Sequence, residues 1–250
     1  MKKKVRRILI TILILAGLGA VGFIGWASFP SQAQDEALLA LQSASSVKID
    51  SHSFGAVFTP TSGQVRTGLI LYPGGHVDWR SYSLIANDIA SKGFLVIIVK
   101  MPFNLAVFAP NSAGDIITAY PQISTWAVGG HSLGGVMAAE FAANHPESVN
   151  GLILWASYPA DSNDLSQSSL AVLSISASQD GLTTPDKIDH SRALLPANTR
   201  WAVIQGANHA QFGAYGDQQG DGVALISAIE QRNQIVKLTG EFLATLSTLR

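Results

Sequence analysis

Short runs rich in Val, Ile and Leu, spaced through the chain with helical patterns between them, limit this sequence to very few architectures. They fall at 67–72 (TGLILY), 94–100 (FLVIIVK), 124–129 (STWAVG), 149–155 (VNGLILW), 170–176 (LAVLSIS) and 200–205 (RWAVIQ). Continuous apolar runs, rather than alternating ones, mark strands buried on both faces, as in a parallel sheet. Two further strands are predicted at 47–51 and 54–59. Helical patterns occupy 80–92, 112–119, 133–144, 184–195 and 222–247. Alternation of this kind implies right-handed crossovers and an α/β fold, a doubly wound, mostly parallel sheet of about eight strands. Ligands bind such sheets at the carboxyl ends of the strands, so the chemistry is sought there.

Ahead of this pattern lies a segment of another kind. Ile8 to Phe29 (ILITILILAGLGAVGFIGWASF) carries no charge over 22 residues, directly after Lys2, Lys3, Lys4, Arg6 and Arg7. About 20 apolar residues cross a hydrocarbon core of roughly 30 Å. The basic cluster places residues 1–7 in the cytoplasm and everything after Pro30 outside, with Trp26 and Phe29 at the far interface. The run exceeds the apolar region of a signal peptide, which favours a retained anchor over 8–29. Small residues in Gly25-Trp26-Ala27 and Ser31-Gln32-Ala33 keep cleavage and secretion as the alternative. Residues 30–46, polar with a short helical stretch from Glu36 to Leu41, read as a stalk leading to a body at 47–250.

The formal net charge of −1 averages these two parts. Eleven basic residues face 17 acidic ones once the N-terminal cluster is set aside, leaving the body at −6. An acidic body without a basic stripe argues against a nucleic-acid partner. The absence of cysteine excludes disulfides, iron–sulfur clusters, thiolate zinc sites and a thiol nucleophile. No pair of histidines has metal-ligand spacing. The loop Gly216-Asp217-Gln218-Gln219-Gly220-Asp221-Gly222 lacks the twelve-residue calcium pattern, and Asp221 is expected to cap the last helix. No cofactor is implied, and the sequence sets no oligomeric state.

The chemistry concentrates in Gly130-His131-Ser132-Leu133-Gly134-Gly135, between the 124–129 strand and the 133–144 helix. This is G-x-S-x-G in the strand–turn–helix setting that makes a nucleophile elbow. Glycines at 130 and 134 clear space around a strained turn, and the helix N-terminus offers N–H groups to an oxyanion. A serine needs a base, and His209 follows the last strand in Gly206-Ala207-Asn208-His209. His131 is assigned to packing or pocket lining, and His52, His145 and His190 to the surface. A carboxylate must hold the imidazole tautomer. Asp180, after the 170–176 strand, gives the order Ser, Asp, His, with Asp161 or Asp164 as the alternative and Asp186 and Asp189 as exposed helix residues. The oxyanion donors are expected at Leu133 and in Tyr72-Pro73-Gly74-Gly75-His76, from Gly75 or alternatively His76.

On these residues the sequence resembles the α/β-hydrolase superfamily, specifically its dienelactone-hydrolase-like branch, the α/β-hydrolase fold-5 family. The likeness spans about 47–250 and rests on LILYPGG, VIIVKMPFN, VGGHSLGG, GLILWASYPA, SISASQDGLTTPD and GANHAQFG. It implies Ser132 as nucleophile, Asp180 as acid, His209 as base, and cofactor-free hydrolysis of esters, thioesters or related acyl compounds. Dienelactone hydrolases use a cysteine where this chain has Ser132. Only 14 residues (156–169) separate two strands where many relatives insert a lid, so an open site is expected. Met101, Pro102, Phe103, Tyr158 and Pro159, with His76, are the expected walls of a modest apolar pocket. The resulting expectation is an exported serine esterase for a small-molecule ester with a short or medium acyl group. Acyl transfer by the same triad and a non-catalytic binding module on the same fold are the alternatives.

Overall fold

The computed structural model describes residues 2–42 and 45–248. Met1 of the basic segment, residues 43–44 of the expected stalk and residues 249–250 lie outside them. Eight strands form one sheet: β1 (Val47–His52), β2 (Gly55–Pro60), β3 (Thr67–Tyr72), β4 (Leu95–Val99), β5 (Thr125–His131), β6 (Gly151–Trp155), β7 (Ala171–Ala177) and β8 (Arg200–Ile204). Their order is β1-β2-β4-β3-β5-β6-β7-β8. β2 pairs antiparallel with β1 and β4, and every pairing from β4 to β8 is parallel. Every residue of β3, β4, β5 and β6 is buried, which is why these segments read as unbroken apolar runs.

The helices are α1 (Lys2–Ala27), α2 (Asp35–Leu39), α3 (Ser83–Ala90), α4 (Ser112–Ala119), α5 (Leu133–Asn144), α6 (Pro185–Ser191) and α7 (Ala228–Thr248). One apolar cluster joins α3 and α7 to one face of the sheet through Phe58, Leu71, Ile89, Trp155, Ile235 and Leu243. A second joins α4 and α5 to the other face through Ile70, Ile97, Val128, Phe141 and Leu154. Each such fully buried side chain contributes about 1.5–3 kcal/mol relative to exposure. The chain leaves β3 toward β4 on one side and later returns to β5 on the other. The strand order therefore reverses beside β3, opening the crevice where sheets of this type bind ligands.

Three sequence expectations change. The helix expected at 222–247 begins at Ala228. Residues 80–92 and 184–195 each divide into an α-helix and a 3-10 turn, Trp79–Tyr82 and Arg192–Leu194 respectively. The described part of the expected stalk is docked on the body. Ser31 N–H donates to the His76 carbonyl (2.9 Å), Gln34 N–H to the Ala214 carbonyl (2.9 Å), and the Ser83 hydroxyl to the Ala37 carbonyl. Ala37 of α2 is completely buried. No helix or strand occurs between β6 and β7, so this connection forms no lid domain. Helix α1 stands apart: Lys4–Ala27 is long and apolar enough to cross a membrane, with a mean hydropathy of 2.6 in its most apolar window.

Candidate active site

Ser132 occupies the turn between β5 and α5 with φ 50° and ψ −124°, a left-handed backbone that a non-glycine residue adopts only when its surroundings enforce it. The neighbouring glycines explain how the chain can be drawn so tight. A Cβ on Gly134 would stand 2.2 Å from the Tyr72 carbonyl oxygen and 2.3 Å from that of Pro73. One on Gly130 would stand 2.4 Å from the Gly134 carbonyl carbon. The turn is pinned by the Ser132 N–H donating to the Trp155 carbonyl (3.0 Å) and the Ser157 hydroxyl donating to the Ser132 carbonyl (2.7 Å).

Asp180 and His209 meet. His209 Nδ1–H donates to Asp180 Oδ2 at 2.9 Å, with both side chains essentially inaccessible. The other carboxylate oxygen accepts the N–H groups of Leu182 (2.8 Å) and Thr183 (2.6 Å), which fixes the carboxylate plane. With Nδ1 protonated toward Asp180, the His209 Nε2 lone pair is free to accept a proton, as a general base requires. Asp161 and Asp164 are exposed, and Asp164 instead accepts the Ser166 N–H, so neither approaches His209. The Ser132 hydroxyl makes no hydrogen bond to His209. Such contacts are commonly open before substrate binds, and rotation about one side-chain bond moves the hydroxyl.

His209 is braced from two sides. Asn208 N–H donates to Gln231 Oε1 (3.1 Å) and Gln231 Nε2 returns a bond to the Asn208 carbonyl (2.8 Å), with Gln231 fully buried on α7. His131 lies behind His209, its ring centroid 4.5 Å from that of His209 and stacked on Phe212 at 5.5 Å. Its Nδ1 is hydrogen-bonded to the Tyr82 hydroxyl (2.8 Å), which also accepts the Gly74 N–H (2.9 Å). Burial, reinforced by His209, pushes the His131 pKa well below the usual histidine value and keeps the ring neutral. His131 therefore packs the site from behind, and burial likewise pushes the Tyr82 phenol pKa upward.

Asp221 is the residue that sequence reasoning misplaced. It does not cap α7. Its Oδ1 accepts N–H groups from Gly181 (3.1 Å), His209 (3.2 Å) and Gly222 (2.7 Å), and its Oδ2 accepts that of Ala210 (2.8 Å). One carboxylate thus ties the turn carrying Asp180 to the turn carrying His209. The only sequence signal was an aspartate between two glycines. Gly222 lets the loops meet, since a Cβ there would stand 1.9 Å from the Gln179 carbonyl oxygen.

The expected oxyanion donors also separate. Among the described residues the N–H groups of Leu133 and Gly75 donate to no protein acceptor, and Gly75 lies against the Leu133 side chain: a Cβ on Gly75 would be 2.8 Å from Leu133 Cδ2. The His76 N–H is consumed by the Asn104 carbonyl (2.8 Å), which removes His76 as a donor. Nor does its ring line a pocket. It stacks on Trp26 (3.9 Å, 3°) and donates from Nε2 to the Trp26 carbonyl (2.9 Å). The other expected pocket residues do not form one wall. Met101 is buried, and Phe103 packs on Phe23 of α1 at 5.5 Å. Tyr158 and Pro159 face a cleft with Lys187, His190, Ser191 and Leu194.

A parallel sheet with a strained serine turn at its switch point, and a histidine–carboxylate pair at neighbouring strand ends, defines the α/β-hydrolase class. Consistent with this, the sequence profile of the alpha/beta hydrolase family matches residues 68–233, and the chain belongs to that family. Two solved structures share the fold. A CIB-like hydrolase from Thermoplasma acidophilum is 18% identical, with 80% of this chain and 100% of that one covered and a TM-score of 0.60. A dienelactone hydrolase from Anabaena variabilis is 16% identical, with 80% and 99% covered and a TM-score of 0.62. No curated protein sequence matches the chain. Family and fold together support a hydrolase acting on a small-molecule substrate.

Proposed function

We propose that the protein is a membrane-anchored serine esterase whose catalytic domain lies outside the cytoplasm. The observation that carries this reading is the buried His209–Asp180 pair, its tautomer set by a 2.9 Å bond, on the same sheet edge as the strained Ser132 turn. In this scheme Ser132 Oγ attacks the acyl carbon while His209 Nε2 accepts its proton. The Leu133 and Gly75 N–H groups receive the oxyanion of the tetrahedral intermediate. The intermediate collapses, the ester C–O bond breaks, and His209 returns the proton to the departing alcohol. Water, deprotonated by the same histidine, then attacks the acyl-enzyme and releases the carboxylic acid and free Ser132. No metal or cofactor takes part in these steps.

Retention of α1 is favoured by the contacts of its last turn. Trp26 stacks on His76, Asn104 Nδ2 donates to the Ala27 carbonyl (3.0 Å), and Ala27 is buried against the body. Cleavage after Ala27 would discard all three. The test of the reaction is a chain-length series of chromogenic acyl esters, with Ser132→Ala as blank. Turnover by the wild type above that blank is the expected result. Equal rates for both proteins across the series would overturn the esterase reading.

A further inference from the structure

The segment after β4 carries an apolar surface for which the catalytic scheme has no use. Phe103, Val107 and Phe108 are 46%, 44% and 51% exposed in the two short turns Pro102–Asn104 and Ala106–Phe108. They are not scattered. The Phe103 and Phe108 rings lie 5.3 Å apart, and both meet Phe23 of α1, at 5.5 and 5.9 Å. Phe103 and Asn104 both take positive φ (55° and 57°), and this turn places the Phe103 ring against α1. Phe29, just beyond the helix, is 79% exposed.

The position of these rings along α1 says what covers them. Twenty residues counted from Ile8, the first after the basic cluster, end at Ala27 and span about 30 Å, the thickness of a hydrocarbon core. Phe23 lies four residues before that end, about 6 Å inside it. Phe103 and Phe108 touch Phe23, so α1 cannot span a bilayer without carrying both rings to interfacial depth. Aromatic side chains favour that depth, and Trp26 shares it. Lys100 and Arg80 line a cleft with Ser28 and Pro30, at the level where lipid headgroups begin.

The same loop borders the candidate oxyanion site. Leu105 Cδ2 would lie 3.6 Å from a Cβ on Gly75, and the Asn104 carbonyl holds the His76 N–H beside it. From this we infer that the catalytic domain rests on the outer leaflet through Phe103, Val107 and Phe108, and that its substrate is an acyl ester resident in the bilayer. The acyl chain then passes from lipid along this loop to Ser132 without crossing water. The substrate part rests on the esterase reading above; the membrane contact stands independently of it.

The experiment uses the full chain reconstituted in phosphatidylcholine vesicles. Because the protein contains no cysteine, single substitutions Val107→Cys and Val203→Cys each accept one environment-sensitive fluorophore. Val203 is 50% exposed but lies on β8. The label at 107 should be quenched by nitroxide-bearing lipids and the label at 203 should not. Equal quenching of the two overturns the membrane contact. So does a label at 107 shielded from water by a second copy, seen as energy transfer between labelled chains without lipid quenching. In parallel, Val107→Ser/Phe108→Ser should hydrolyse a bilayer-resident long-chain ester at least tenfold more slowly than wild type, with hydrolysis of a soluble short ester unchanged. Equal loss on both esters overturns the substrate assignment. If the wild type hydrolyses neither ester, the esterase reading fails with it, while the quenching result still decides the contact.

Discussion

Replacing Asp221 by asparagine tests whether one carboxylate holds the Asp180 and His209 turns together. In the native chain Oδ1 accepts three N–H groups and Oδ2 accepts that of Ala210 at 2.8 Å. Asparagine is nearly the same shape but has one acceptor. With its carbonyl in the Oδ1 position, its NH2 faces the Ala210 N–H, donor against donor. One bond to a charged acceptor is lost, worth about 1.5–3 kcal/mol, and the other three weaken from charged to neutral. Partial exposure of Asp221 and non-additivity reduce the sum, so the expected destabilisation is about 2–4 kcal/mol. That corresponds to a fall in Tm of roughly 5–15 °C for a chain of this size. Displacement of the His209 turn should also lower kcat by about ten- to a hundredfold at temperatures where the variant is folded. Thermal unfolding and ester kinetics measure the two effects, with Asp217→Asn, an exposed aspartate of the same loop, as control. A variant matching the control in Tm and kcat would refute the bracing role.

Three other outcomes follow from the geometry. Asp180→Asn should keep the fold but lower kcat by roughly 10³–10⁴, because an amide no longer fixes the His209 tautomer; activity within tenfold of wild type would argue against the pairing. Gly134→Ala should lose Ser132-dependent activity and a large part of its stability, since the new methyl carbon would stand 2.2 Å from the Tyr72 carbonyl oxygen; activity and Tm near wild type would contradict the close packing of the turn. His131 has a folded pKa depressed below 6.5, so the unfolded chain binds the extra proton on acidification and stability falls as pH drops below about 6.5. His131→Gln should flatten Tm between pH 7 and 5 relative to wild type, and an unchanged slope would assign the acid sensitivity elsewhere.

The elbow was readable in the sequence because its constraint is local: glycines at 130 and 134 are demanded by atoms a few residues away or on the adjoining strand. The parallel strands were readable for a similar reason, as burial on both faces forces the same composition along each. What escaped depends on partners far along the chain. Residues 31–42 look like a polar spacer, yet they gain their place from His76, Ser83 and Ala214. His76 sits among loop glycines as a plausible donor, and only the fold reveals that Asn104 takes its N–H and Trp26 its ring. Asp221 lies in a loop without periodicity, so nothing in the sequence indicated that the Asp180 and His209 turns both donate to it. Phe103 reads as a pocket wall until α1 is placed against it.

The central claim is that Ser132 is the nucleophile, and it is tested most directly by locating a covalent adduct. The intact full chain is treated with a fluorophosphonate, digested and sequenced by mass spectrometry. The account predicts one phosphonylated residue, Ser132, and no adduct in Ser132→Ala. An adduct on another serine, or labelling that persists in Ser132→Ala, would contradict it.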